Sequence, residues 1–220
     1  MLQKKQMKQF NLELETQHLL AKIYPTIAWP KVRFYEPLPW FMSKGFVIAM
    51  ALPATYSLQK LDVHFKQYDN QDDYNLATLV HECFHVFQYQ RLATFWDFGY
   101  CRRFMVYYLG WYICLWVKNC IKYKFDMQRV GFESYRFHPF EIPAYDMEAR
   151  FLEWYKINKN TNIDFENADF LKIQVYKLST ETRPPFWALS LGLFFAISIS
   201  WVKPFLELWR FVFFFFIKKS

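Results

Sequence analysis

The chain lacks the features of a disulfide-stapled, secreted or nucleic-acid-binding protein. Its four cysteines, Cys83, Cys101, Cys114 and Cys120, form no CxxC pair and no dense framework, which excludes a disulfide scaffold and fits a reducing compartment. The amino terminus, MLQKKQMKQFNLELETQHLL, carries basic residues but no apolar h-region. It is therefore not a secretory signal, and the main domain is expected on the cytoplasmic side. The net charge is +7, yet the basic residues are scattered or flank apolar segments, and no recognised nucleic-acid motif accompanies them. No nucleic-acid partner is expected, and attraction to anionic lipid explains the charge more simply. Internal repeats and low-complexity linkers are absent, apart from the run Phe213 to Phe216.

Aromatic residues, by contrast, make up 23% of the 220 residues, with 26 Phe, 15 Tyr and 9 Trp. That exceeds what a soluble core requires; membrane contact is one explanation and a biased genome is another. The length suits one domain with a real core and a short appendage.

The most informative segment is His81-Glu82-Cys83-Phe84-His85, an HExxH pattern. With 5 His and 11 Glu in the chain, such a pattern arises by chance about 0.006 times. At about 3.6 residues per turn, positions i and i+4 share a helix face, so both imidazoles can reach one metal ion. Glu82 then sits beside the ion and can take a proton from zinc-bound water, returning it to a leaving amine. Leu76, Leu79, Val80, Cys83 and Phe87 repeat at helical spacing and predict a helix from about Asp73 to Arg91. Asn70, Asp72 and Asp73 supply its start signal. Cys83 points away from His81 and is expected in the core.

Catalytic zinc usually keeps three protein ligands and an open position. In the segment His138 to Arg150, Glu141 and Glu148 stand at i and i+7 on one face of a helix predicted to run to about Lys156, so either could bind the ion. Pro139 and Pro143 fall at its start and in its first turn, where a missing amide proton costs little. His138 and Tyr145 are candidate donors to the oxyanion of a tetrahedral intermediate.

HECFH followed tens of residues later by a Glu on a second helix resembles the gluzincin class of zinc metallopeptidases. The pair HECFH and Glu141-x-x-Ala144 is also similar to the membrane-associated prenyl-protein endopeptidases, although Tyr145 stands where their motif has Asp. A closer resemblance is to the small metallopeptidase domains associated with bacterial contractile injection systems. In these HExxH continues into a Gln, as in Val86-Phe87-Gln88, and a Pro-x-Glu-x-x-Ala segment follows, as in Pro139 to Ala144. The similarity covers roughly Phe46 to Phe151. It implies that His81, His85 and Glu141 hold Zn2+, with Glu148 the runner-up.

Short runs at Lys31 to Glu36, Phe46 to Leu52 and Leu61 to Lys66, separated by Pro and Gly, predict strands. A small sheet before the HExxH helix is what zincins show, and its edge strand pairs with substrate backbone. Leu61 to Lys66 alternates and could be that edge, with His64 on a solvent face. An amphipathic covering helix is predicted from about Gln6 to Lys22, with His18 at its surface, and an apolar helix from Phe104 to Val117 between the two metal-bearing helices. Asn158 to Asn167 is polar and reads as a loop.

Phe186 to Val202 carries no charge over about 17 positions and has Trp near both ends, which predicts a membrane segment. Phe205 to Ile217, with Lys203, Glu207 and Arg210 forming a polar stripe, predicts an interfacial helix. The sequence thus predicts an α+β zincin-like catalytic domain over residues 1–183 and a membrane anchor over 184–220. Its expected activity is hydrolysis of peptide bonds in a peptide or protein substrate near membrane lipid. The competing reading is a non-enzymatic membrane-associated accessory protein with a structural or vestigial zinc site. A zinc amidase would share the same ligands.

Overall fold

Period-two alternation builds the sheet. In the computed structural model, which describes residues 7–39, 48–53, 60–92, 103–159 and 183–197, Leu61, Val63 and Phe65 of β4 (Leu61–Phe65) are buried on one face of the sheet, and Asp62 and His64 take the other. Beside β4 lie β2 (Val32–Glu36), parallel to it, and β3 (Ala49–Pro53), antiparallel to it. β1 (Lys8–Phe10) pairs antiparallel with β2, giving the order β1-β2-β4-β3.

The three expected strands are present, and two expectations about them need correction. β4 is interior, so the open edge next to it belongs to β3 among the described residues. His64 does lie on the face shared with Arg33 and Tyr35, yet it is buried, because an interior strand places its ring in a stack with Tyr35, 5.4 Å between centroids. Residues 8–10 also form a strand where a helix start was expected. The Phe10 ring stacks on Tyr68 at 5.0 Å and packs against Phe34 and Phe65, which draws this segment into the sheet. Helix α1 (Leu14–Ile23) therefore begins later; it buries Leu19, Leu20 and Ile23, and the adjacent Tyr24 hydroxyl donates to the Val80 carbonyl at 2.7 Å.

Helix α2 (Asp73–Leu92) starts where Asp72 accepts from the Tyr74 amide at 2.9 Å. It is buried on nearly every side from Leu76 to Tyr89 and packs against β3 and β4. Helix α5 (Glu141–Asn158) lies antiparallel along α2. Lys159 at its end meets Asp73, 2.6 Å from Nζ to Oδ2, while Phe140 at its start meets Gln88. Ala144, Met147, Phe151 and Trp154 form the buried seam of α5. These elements belong to one compact unit, Met1–Leu92 with Pro139–Ser179.

A second unit, Ala93–His138 with Thr180–Ser220, contains α3 (Arg103–Lys122), α4 (Met127–Arg136) and α6 (residues 186–197). Asn119 on α3 donates to the buried Ser134 hydroxyl on α4 at 3.1 Å. On α6 the buried residues are Ala188, Gly192 and Ala196, spaced by four, and Ala188 and Gly192 meet α3 at Gly110 and Val106. The approach is close. A Cβ added to Gly192 would collide with the Val106 carbonyl oxygen and lie 2.7 Å from the Gly110 amide nitrogen.

The predicted membrane segment is not found. Among the described residues no helix is long and apolar enough to cross a membrane. The charge-free stretch begins after Pro184-Pro185 as α6, whose 186–197 span at about 1.5 Å per residue covers about 18 Å against a hydrocarbon core of about 30 Å. The expected fold class therefore loses its membrane part, and the expected membrane location loses the helix it rested on. The rest of that stretch, the interfacial helix predicted for 205–217 and most of the 158–167 loop lie outside the described residues.

Candidate metal centre

Both halves of HExxH are delivered as helix geometry requires. His81 and His85 sit one turn apart on α2, their rings 4.9 Å apart and nearly perpendicular, and each is at least nine-tenths buried. Glu141, in the first turn of α5, is 1% exposed and faces both rings. Its Oε2 lies 3.3 Å from His81 Nε2, and its Oε1 lies 3.3 Å from His85 Nε2. Ligand atoms on a tetrahedral zinc, with bonds of about 2.0–2.1 Å, stand about 3.3–3.4 Å apart. The separations between imidazole and carboxylate therefore match ligands that share an ion, and they exceed the usual charge-assisted hydrogen bond. One ligand atom from each of His81, His85 and Glu141 falls within 4.8 Å of the others, so this buried group could hold a metal ion. Two imidazoles and one carboxylate suit a divalent transition-metal ion.

The outer nitrogens of the rings are also engaged. His81 Nδ1 lies 2.9 Å from Glu148 Oε2, in an ion-pair contact. His85 Nδ1 lies 2.8 Å from Gln88 Oε1. The helical spacing of Glu141 and Glu148 thus does put both on the His81 side, with Glu141 at the Nε2 atoms and Glu148 behind one ring. Tyr145, one turn after Glu141, sets its ring edge against His81 at 4.7 Å and is 41% exposed. His138 belongs to the second unit, where its Nε2 meets the Tyr108 carbonyl at 2.9 Å and its ring stacks on Tyr108. Of the two oxyanion candidates, Tyr145 is the one that the first unit itself brings to the cluster.

Glu82 is 5% exposed and receives a hydrogen bond from the Ala51 amide of β3. Burial raises its pKa, an effect opposed by the charges of His81 and His85. For His81, burial pulls the pKa down, but contacts with Glu141 and Glu148 outweigh it and push the value up to about 10. His85 is likewise raised overall, its burial being outweighed chiefly by the Glu141 charge. Burial favours the neutral form of Glu141, yet the two histidines hold it well below the usual carboxylate range. The result is a buried array with negative charge on Glu141 and a second carboxylate, Glu82, whose affinity for a proton is increased by burial.

Sequence reasoning gave no role to Gln88 or to the Ala51 amide. The first was visible only as the Gln that follows HExxH, and the second is a backbone group whose place depends on strand order. The chain matches no family model, and no curated protein or solved structure is significantly similar to it.

Proposed function

We propose that this chain is a zinc-dependent hydrolase acting on peptide bonds, with His81, His85 and Glu141 holding the ion and Glu82 acting as general base. The observation that carries the reading is the convergence of both Nε2 atoms on one buried carboxylate at 3.3 Å, with a second buried carboxylate next to His81 in the chain. Zinc, when bound, supplies Lewis acidity and a water made acidic enough to deprotonate near neutral pH.

Glu82 accepts the proton of the attacking water and delivers it to the departing amine. Its raised pKa suits both halves of that transfer. Tyr145 stands at the exposed rim and would offer its hydroxyl to the developing oxyanion. A peptide is the fitting substrate because β3 ends the sheet among the described residues. Lys66 donates to the Ile48 carbonyl, so by antiparallel alternation Ala49 and Ala51 turn their backbone groups away from β4; the Ala51 amide goes to Glu82, which leaves the Ala49 groups and the Ala51 carbonyl to meet a peptide. An extended peptide can pair with such an edge.

A non-enzymatic protein with structural zinc is the second reading. It draws on the burial of all three ligands, since structural sites are closed and catalytic ones keep an open position. Two measurements test the pair. Zinc content near one per chain in the wild type, lost in His85→Ala and Glu141→Ala, supports the metal centre; a folded wild type without zinc overturns it. Peptide hydrolysis that disappears in a zinc-loaded Glu82→Gln supports the enzyme, and unchanged function in that variant supports the structural reading.

A further inference from the structure

Gln88 is 0% exposed, and both ends of its amide are used. Its Nε2 donates to the Phe140 carbonyl at 3.0 Å, and its Oε1 lies 2.8 Å from His85 Nδ1. A backbone carbonyl can only accept, so the NH2 group must face Phe140 and the amide oxygen must face His85. The orientation of the amide follows, and so does the tautomer of the ring. His85 carries a proton on Nδ1, and in its neutral form its Nε2 lone pair points to Glu141.

Phe140 directly precedes Glu141 and is itself fully buried. The chain of contacts therefore closes a ring: His85 Nδ1 to Gln88, Gln88 to the Phe140 carbonyl, Phe140 through one peptide bond to Glu141, and the Glu141 carboxylate back to His85 Nε2. Gln88 and His85 lie on α2, whereas Phe140 and Glu141 lie at the start of α5. Within this ring, Gln88 is the side chain that bridges the two helices.

We infer that Gln88 is a positioning residue that sets the bite of the metal centre, holding His85 in its ligating tautomer and tying it to the backbone next to Glu141. The inference rests on the reading of His81, His85 and Glu141 as a zinc site. An isolated hydrogen-bond acceptor would orient one ring. The amide orients the ring and also spaces the second helix, which a carboxylate at position 88 cannot do because it has no proton to donate to Phe140.

The test compares zinc affinity of the full chain, by chelator competition, in wild type, Gln88→Met, Gln88→Glu and Leu79→Ala, with folding followed by circular dichroism. Leu79 is fully buried on the same helix, so Leu79→Ala reports what lost packing alone does to zinc affinity. Gln88→Met is expected to weaken zinc binding by about 10–100-fold beyond that control. Gln88→Glu in its ionised form keeps the acceptor for His85 and loses the donor to Phe140, so across a pH series its affinity is expected to fall less than that of Gln88→Met yet below wild type once the carboxyl has lost its proton. Cobalt-substituted Gln88→Glu should also show an altered visible absorption, because the spacing of the ligands has changed. Zinc affinity and cobalt spectra equal to wild type in Gln88→Glu overturn the inference, whether or not Gln88→Met folds. A folded wild type that binds no zinc instead overturns the metal-site reading before the variants are compared.

Discussion

The Ala51 amide of β3 donates to the Glu82 carboxylate, so the sheet edge and the middle of HECFH are in direct contact. The bond holds the carboxylate in its buried position and leaves Glu82 Oε2 without a hydrogen bond. That oxygen has no hydrogen bond competing with an incoming proton. Glu82→Gln preserves shape but removes the basic oxygen pair; turnover of a peptide substrate is expected to fall by at least about 10²–10⁴-fold while bound zinc stays at the wild-type level. Parallel activity and metal assays check this.

The two glutamates of α5 should separate by metal affinity. Glu141→Ala removes a carboxylate that lies 3.3 Å from both Nε2 atoms and should abolish tight zinc binding. Glu148→Ala removes only the contact behind His81, and a loss of about tenfold is expected, as for outer-shell partners. Equal losses in the two variants would contradict the assignment of Glu141 as the ligand.

Protons should leave when zinc enters. His81 in the metal-free protein has a pKa raised from 6.5 to about 10, so at pH 8 it holds a proton that must be displaced for Nε2 to bind an ion. Zinc affinity should therefore rise with pH between about 6.5 and 10. Calorimetry at pH 8 in buffers of different ionisation enthalpy should report proton release, which an unperturbed histidine pair would hardly show. The same shift stabilises the metal-free fold fully below the unfolded pKa of about 6.5, and that contribution is lost as pH rises through about 10. Melting temperatures of the metal-free protein are expected to fall across this window.

Glycine has opposite meanings at two helical positions. A methyl group at Gly192 meets backbone atoms of α3 that cannot rotate aside, so Gly192→Ala should destabilise the second unit by about 1–3 kcal/mol. Gly131, inside α4, has nothing within 4 Å of an added Cβ. Gly131→Ala should stabilise by about 0.5–1 kcal/mol through helix propensity. Chemical denaturation of both variants distinguishes them, and a destabilised Gly131→Ala would contradict the open space around it.

By itself the sequence determined what depends on neighbours along the chain. The 3.6-residue period placed His81 and His85 on one face of α2 and Glu141 and Glu148 on one face of α5, and short runs bounded by Pro and Gly located three of the four strands among the described residues. Tertiary structure decided whatever depends on which elements meet. Glu141 rather than Glu148 reaches both Nε2 atoms because α5 runs antiparallel to α2 with its first turn at His85. β3 rather than β4 forms the edge because strand order is set by pairing. Gln88 gained a partner in Phe140, 52 positions away, and local periodicity carries no information about a contact of that range. The apolar carboxy-terminal run shows the reverse limit. Hydropathy alone cannot tell a spanning helix from α6, which ends its described length at about 18 Å and meets α3 through two small residues, Ala188 and Gly192.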